Sequence, residues 1–403
     1  MASTINTNIS SLTAQRNLSQ SQNSLATSMQ RLSSGLRINS AKDDAAGLAI
    51  SERMTSQIRG MNQAVRNAND GISLAQTAEG SLGEIGNNLQ RIRELAVQSA
   101  NATNSSTDRT ALNSEVTQLV SEIDRVSKQS DFNGTKLLDG SFSSQLFQVG
   151  ANAGQTIGIN KIANTTAAAL GGAVFDSNSL TVAAPADGNT DVKISGFTIT
   201  DSAGKTVTLD DITVKASGVD AATTQKAATA ALASAINDKL GETGVMATVG
   251  TTAGAITLDS VKESVDSTGA FKGFAVAVGT WTGATAPTAP TTTTAAPAAK
   301  FAKDLDITTV KGAQQALALV DKALSTVNSS RADLGAIQNR FSSVVTNLTT
   351  NSENTSASRS RIQDADFATE TANLSRAQIL QQAGTAMVAQ ANQLPQTVLS
   401  LLK

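Results

Sequence analysis

The 403-residue sequence predicts a mainly α fold: a long antiparallel helical coiled-coil bundle formed by the N- and C-terminal segments, with a short β-hairpin and an inserted α+β outer domain. Three observations lead to this prediction. Apolar residues in both terminal segments recur every three or four positions, the spacing of a coiled-coil seam. Every arginine lies outside the stretch between Arg125 and Arg331, which is rich in Thr, Ala and Gly. Short runs of alternating apolar and polar residues, typical of strands, occur within that stretch.

The N-terminal half carries the strongest periodicity. From Met54 to Ala96 the apolar residues follow steps of four and three, which predicts one helix over about 42–100. At 1.5 Å per residue such a helix would be roughly 85–90 Å long and would need helical partners along its length. Three further segments repeat the pattern, at 112–126, 313–327 and 334–348. For the first of them, Thr107 and Asp108 lie where an N-cap is expected.

The extreme termini carry a second pair of amphipathic segments, each with one apolar stripe. Because the chain offers little else to cover these stripes, we expect them to be exposed in an isolated monomer and to form an interaction surface. Pro395 should kink or restart the C-terminal helix. The residues predicted to form a self-assembly core are Ile5, Ile9, Leu12, Leu25, Met29, Leu32, Leu36, Leu380, Met387, Leu394, Val398 and Leu401.

The middle of the chain is predicted to be α+β, with strands near 191–200, 205–215, 245–249, 255–258 and 271–278 around a helix at 221–240. A Pro/Thr linker at 285–298 closes it. Before it, the turn Asn133-Gly134 and a pairing of 136–140 with 145–149 predict the small hairpin. Five domains are predicted. They are an N-terminal inner-core helix region (1–41), the N-terminal part of the bundle with the hairpin (42–175), a variable outer domain (176–300), the C-terminal bundle helix (301–354) and a C-terminal inner-core helix region (355–403).

Composition excludes several classes of function. The chain has no His and no Cys, which removes imidazole bases, thiolate nucleophiles and the commonest metal ligands. We therefore expect no enzyme activity, no metal and no cofactor, and we interpret Asp43-Asp44 and Asp364/Asp366 as helix caps. A net charge of −2 argues against nucleic-acid binding. The lack of a long apolar run and of a basic leader predicts no membrane insertion and no cleavable secretion signal.

Several local strings together resemble the bacterial flagellins over roughly 1–150 and 308–403. The strings are Gln30–Asn39 (QRLSSGLRIN), Ala41–Leu48 (AKDDAAGL), Arg66–Gly80 (RNANDGISLAQTAEG), Gln90–Gln98 (QRIRELAVQ), Phe132–Gly134, Ser360–Ile362, Asp364–Asp366 and Gln390–Gln393. The periodicity reaches the same class independently. A protomer with uncovered terminal stripes completes its core from neighbours, and head-to-tail contacts that do not close generate a filament.

The resemblance implies a structural subunit that is secreted by flagellar type III export with an uncleaved N-terminal signal and joins the extracellular flagellar filament for swimming motility. The implied partners are further copies of the chain, an export chaperone holding the C-terminal segment, the export gate, and the filament cap and hook-junction proteins. In flagellins that animals detect, the string at 90–98 contacts Toll-like receptor 5. The matching receptor-recognition residues here are Gln90, Arg91, Leu95, Gln98 and Glu115.

Other interpretations stay open at this level. A hook–filament junction protein shares flagellin-like termini, and a cytosolic coiled-coil scaffold would share the periodicity. The insert could bind glycans or carry O-linked glycans on its Ser and Thr residues, whereas a zinc-protease insert would need His. Gly71, Gly80, Gly83 and Gly86 lie inside the long helical pattern, where each costs about 1 kcal/mol relative to Ala. Close helix packing or a compliant segment would each account for them.

Overall fold

The computed structural model describes residues 7–400, with side chains described up to residue 393. Most of the chain is helical, as predicted. The helices are α1 (Ile9–Ser34), α2 (Ala45–Ala100), α3 (Ser106–Gln129), α4 (Ala221–Asp238), α5 (Leu240–Thr243), α6 (Val310–Gln363) and α7 (Phe367–Ser400). The strands are β1 (Asp131–Phe132), β2 (Thr135–Lys136), β3 (Gln145–Gln148), β4 (Thr156–Ile159), β5 (Ser177–Thr181), β6 (Val192–Ser195), β7 (Thr198–Thr200), β8 (Thr206–Thr208), β9 (Ile212–Val214), β10 (Val245–Val249), β11 (Ala255–Ser260), β12 (Ala275–Ala277) and β13 (Thr280–Thr282).

The chain divides into two compact units. The first comprises 1–70, 146–157 and 340–403, of which the termini are described only from residue 7 to 400. The second comprises 71–145 and 158–339, and both α2 and α6 contribute residues to each unit. The five domain boundaries drawn from the sequence stay predictions.

In the second unit, the predicted seam of α2 is buried. Leu82, Ile85, Leu89 and Ile92 are fully covered, and Val116 and Ile123 of α3 are buried too. Arg91 pairs with Glu115 of α3, and Arg93 pairs with Asp321 of α6 at 2.7 Å. Ser81 contacts Ser130 and Glu79 contacts Gln338, so α3 and α6 both run antiparallel to α2. The predicted antiparallel bundle is therefore confirmed.

The caps differ in detail from the sequence prediction. The N-cap of α3 is Ser105, not Thr107 or Asp108, because Ser105 and Asp108 form a reciprocal capping box. The interpretation of the other acidic residues as caps is confirmed for two of them. Asp44 Oδ1 accepts from the Gly47 amide at the start of α2, and Asp366 Oδ1 accepts from the Ala368 amide at the start of α7. Hydrogen bonds from the Ser40 hydroxyl, then from the Ser40 and Asn39 amides, lower the pKa of Asp43 in the turn before α2.

The small hairpins differ from the predicted one. The turn Asn133-Gly134 joins β1 to β2, with Phe132 opposite Thr135. Asn133 has φ 49°, a left-handed conformation that Asn tolerates well. The strand at 145–148 pairs with β4 and not with 136–140, so the pairing predicted from the sequence is wrong. Two-residue strands carry no periodicity from which the register could be recognised.

The insert forms a separate core around three antiparallel sheets, in the orders β10-β11-β5, β12-β7-β8 and β13-β6-β9 among the described residues. Its core includes Phe197, Leu232, Ile236, Ile256 and Phe274. The two longest predicted strands each divide in two. Gly196, with φ 67°, breaks the first between β6 and β7, and residues 209–211 separate β8 from β9. The sequence prediction missed β5 and β13.

Candidate functional site

The terminal helices α1 and α7 pack against each other in antiparallel orientation through small and polar groups. Near the start of α1, the side-chain amide of Asn8 (Nδ2) donates to the Ala391 carbonyl, and the Ser11 hydroxyl donates to Asn392 Oδ1, both at 2.7 Å. Near its end, Arg31 lies 3.8 Å from Glu370. The buried residues of α1 are Ser11 and Ser28. Among the described residues, the pair therefore buries no large apolar side chain completely, and its half-buried large apolar residues are Leu18, Leu25, Leu32, Leu374 and Val388.

Several large apolar side chains of the pair face outward. Ile9 is 67% exposed and Met387 is 63% exposed, and Leu12, Met29 and Leu380 are also more than half exposed. The predicted residues Leu25, Leu32 and Leu36 are half-buried. Phe367 and Ile379 are exposed as well and were not among the predicted residues. Ile5 and Leu401 lie outside the described residues, and the side chains of Leu394 and Val398 lie outside the described part of α7.

An open groove of 530 Å³ runs between the two helices on this outward side. Its lining includes Ile9, Leu18, Leu380, Ala383 and Met387. Gly384 is needed beside it, because a Cβ there would come within 3.0 Å of a Leu18 methyl group. The α7 helix continues through Pro395 to Ser400, so the expected restart at that proline is not found. The helix pair thus exposes apolar side chains along a groove that is also lined by the polar residues Ser10, Thr13, Asn17 and Ser21.

The predicted receptor-recognition residues lie on α2 and α3 of the second unit. Arg91 Nε donates to Glu115 Oε1 at 2.9 Å, and Arg91 Nη1 donates to Glu94 Oε2 at 3.0 Å. These two carboxylates, Glu115 first, raise the pKa of Arg91. Gln90 and Gln98 are exposed beside it. The guanidinium is therefore held at the surface in a fixed orientation.

Leu95 is placed differently from the other four. It is 1% exposed, so its side chain lies within the bundle and not at the surface with the others. Its position three residues after the buried Ile92 places it on the same seam of α2. Two surface residues were missed: Glu94, which the i,i+3 spacing to Arg91 could have revealed, and Val97, which is exposed.

Two of the α2 glycines singled out in the sequence, Gly80 and Gly83, do not serve close packing within the chain. A Cβ built at Gly80 or Gly83 would meet no atom within 4 Å, and one at Gly86 would meet a Val327 methyl group at 3.9 Å. The interpretation of these glycines as close helix contacts is therefore wrong for Gly80 and Gly83.

The described residues contain no group of three or more His, Cys, Asp or Glu that could hold a metal ion. Between residues 7 and 400, no helix has the length and apolar character needed to cross a membrane. What the structure offers is a helical bundle whose terminal helix pair keeps its apolar face uncovered, the organisation of a structural subunit.

Comparison with known proteins gives the family. Residues 5–143 match the bacterial flagellin N-terminal helical region, and residues 317–402 match the bacterial flagellin C-terminal helical region. The chain is 43% identical to the B-type flagellin of Pseudomonas aeruginosa and 44% identical to flagellin A of Vibrio anguillarum, each over the full length of both chains. A solved structure of FliC from Burkholderia pseudomallei matches 67% of this chain and 99% of its own, with 29% identity and a TM-score of 0.37.

The chain belongs to the bacterial flagellins. Members of this family are structural subunits of the flagellar filament and not enzymes, as the lack of His and Cys suggested.

Proposed function

We propose that this chain is exported from the cell and self-assembles into the filament by folding of α1 and α7 coupled to polymerisation. The observation that supports this most directly is that seven large apolar side chains in the described part of the pair are exposed while its fully buried residues are small or polar. Burial of one such side chain is worth about 1.5–3 kcal/mol. Neighbouring copies can bury these side chains, and that gain can offset the conformational entropy lost on ordering the two segments.

In the free subunit we expect the terminal segments within residues 1–40 and 355–403 to be largely disordered or molten where they form α1 and α7. Disordered ends suit threading through an export channel, and the C-terminal apolar stripe is a suitable binding segment for an export chaperone. The export gate, filament cap and hook-junction proteins complete the proposed set of partners. Membership in the flagellins favours a filament subunit over a hook–filament junction protein.

Elongation of preformed filament seeds by the purified protein tests the assembly proposal. The variant Leu380→Gln/Met387→Gln removes two exposed apolar side chains while keeping good helix formers. Val219→Gln is the matched control, since Val219 is an exposed apolar residue of the insert. We expect the double variant to elongate at least tenfold more slowly and the control at the wild-type rate. Equal rates for all three proteins would refute the proposed role of the stripe.

We also propose recognition by Toll-like receptor 5 through the surface around Arg91. The support is the exposed guanidinium held by Glu94 and Glu115, together with the resemblance of 90–98 to the string that detected flagellins use. Arg91→Ala should reduce receptor signalling by tenfold or more. Arg93→Ala is a matched control, because Arg93 is also a surface arginine in an ion pair and lies two positions after Arg91 on the same helix. Leu95→Ala is unsuitable, since it would create a cavity in the bundle.

A further inference from the structure

The two connections that join the terminal helices to the long helices are hydrogen-bonded to each other in the first unit. One connection, 35–44, links α1 to α2, and the other, 364–366, links α6 to α7. Leu36 and Asp364 form an isolated antiparallel bridge. The Ala365 amide donates to the Gly35 carbonyl at 2.9 Å, and the Arg37 amide donates to the Gln363 carbonyl at 2.7 Å. We call this group of contacts the clasp.

Arg37 is the centre of the clasp. Its guanidinium donates from Nε (3.2 Å) and Nη2 (2.5 Å) to the Ile362 carbonyl, at the C-terminus of α6. The amides of Arg37 and Ile38 both donate to the Gln363 carbonyl. Arg37 therefore caps the last turn of α6 with a cation, where the helix dipole favours positive charge. One residue of the N-terminal connection thus satisfies two terminal carbonyls of a helix more than three hundred positions away.

The backbone around the clasp is also fixed by local geometry. Gly35 ends α1 with φ 71°, and its amide donates to the Arg31 carbonyl. Gly47 leaves no room for a side chain, because a Cβ there would lie 2.7 Å from a methyl carbon of Ile38 and 2.5 Å from Asp44 Oδ2. Ile38 is itself buried. The end of α1 and the starts of α2 and α7 are consequently held at the end of α6 by contacts that do not require α1 and α7 to touch.

We infer that the clasp is the junction at which ordering of the α1–α7 pair begins, with Arg37 as its positioning residue. The inference rests on the proposed coupling of folding to assembly. Within the described residues, the α1–α7 pair buries no large apolar side chain completely, whereas the clasp contains a charge-assisted cap and several backbone hydrogen bonds. By holding one end of each helix together, it shortens the loop that the pair must close and so lowers the entropy of pairing.

The first test measures elongation of wild-type seeds by full-length Arg37→Ala and Gly35→Ala proteins. A Cβ at Gly35 meets nothing within 4 Å, so that change acts on backbone conformation alone. The matched controls are Arg125→Ala, an exposed arginine of α3 outside the terminal pair, and Gly269→Ala, a left-handed glycine of the insert that also has no atom within 4 Å. We expect both clasp variants to elongate about tenfold more slowly and both controls at the wild-type rate. Wild-type rates for both clasp variants would overturn the inference.

Hydrogen exchange separates this inference from the proposed function. In the free wild-type monomer, the amides of Arg37, Ile38 and Ala365 should exchange at least tenfold more slowly than those in the middle of α1 and α7. Arg37→Ala should remove that difference, while the exchange of α2 near Leu89 stays unchanged as a sign of correct folding. Exchange at the clasp as fast as in the two helices would overturn the inference. If wild-type protein did not elongate seeds, the proposed function would fail and the exchange pattern would still decide the role of the clasp.

Discussion

The insert and the α1–α7 pair differ in how far they bury their large apolar side chains. The insert encloses Phe197, Leu232, Ile256 and other large side chains in a core of its own. The pair buries small residues such as Ser11, Ser28, Ala377 and Ala391, and its large apolar residues are half-buried or exposed. One region has the core of an independently folding domain, since burial of apolar area is the main favourable term in folding. The other region is a surface that needs a second molecule.

The largest expected effect tests the insert side of this comparison. Phe197→Ala removes a fully buried aromatic side chain and should lower the free energy of unfolding by about 3–5 kcal/mol. Met29→Ala, which truncates an exposed residue of α1, should change it by less than about 0.5 kcal/mol in the monomer. Urea unfolding of monomeric protein, followed by circular dichroism, measures both values. A loss for Met29→Ala as large as for Phe197→Ala would mean that the pair already has a folded core in the monomer.

An intermediate effect is expected where the insert contacts α6 within the second unit. Lys311 Nζ pairs with Asp259 Oδ2 at 3.1 Å, and Asp259 is 4% exposed. Lys311→Met keeps the aliphatic stem but leaves a buried carboxylate with the Ser177 hydroxyl as its remaining side-chain donor. We expect a loss of about 1–3 kcal/mol, because half-exposed Lys311 is partly screened by solvent. The double variant Lys311→Met/Asp259→Asn should recover part of that loss in the same urea experiment. No recovery would show that the charge pair is not the cause.

A smaller and opposite effect is expected in α2. Because a Cβ at Gly83 meets open space, Gly83→Ala should stabilise the monomer by about 1 kcal/mol. The matched control is Gly60→Ala in the same helix. A Cβ there would approach Ala151 to 2.9 Å, so this variant should show no increase in the free energy of unfolding. Thermal unfolding distinguishes the two variants. A destabilised Gly83→Ala monomer would indicate that the glycine makes a contact within the chain after all.

The sequence predicted what depends on regular periodicity. The helix expected over 42–100 begins at Ala45 and ends at Ala100, because an apolar step of three or four over twelve turns leaves little freedom of interpretation. The exposed stripe was predictable only in part: Ile9, Leu12, Met29, Leu380 and Met387 are exposed, whereas Leu25, Leu32 and Leu36, predicted with them, are half-buried. The sequence could not show which face of each terminal helix turns inward. That choice depends on small residues such as Ser11 and Ala391, which carry little hydrophobic signal.

Features that depend on contacts distant in sequence were missed. The partner of Arg37 is a carbonyl group near residue 362, and no local pattern identifies a backbone acceptor. The β3–β4 pairing was also missed, because strands of four residues admit several registers. Leu95 was placed at the surface from the resemblance alone, although its spacing from Ile92 indicated burial.

The smallest expected effect is a difference in pKa between two capping carboxylates, one in the bundle and one at the start of α7. A hydrogen bond from the Ser105 hydroxyl lowers the pKa of Asp108, and one from the Thr369 hydroxyl lowers the pKa of Asp366. Both depend on an ordered helix N-terminus, so each pKa reports whether its helix is folded. In the free monomer we expect Asp108 to titrate below the ordinary value of 3.8, whereas Asp366 should titrate near it. Side-chain carboxyl NMR resonances measure both values.

Assembly into filaments should change the pKa of Asp366 and leave the pKa of Asp108 unchanged. A carboxyl whose pKa is depressed by folding stabilises the folded state above its unfolded pKa, and that contribution is lost as the pH falls through the folded value. In filaments, the pKa of Asp366 should therefore lie below 3.8, as the pKa of Asp108 does. Acidification from about pH 4 downward should then destabilise α7. Asp366→Asn removes this pH dependence and serves as the control. A depressed pKa of Asp366 in dilute monomer would show that α7 is ordered before any neighbour is present, and the contrast between the two regions would then be one of packing and not of folding.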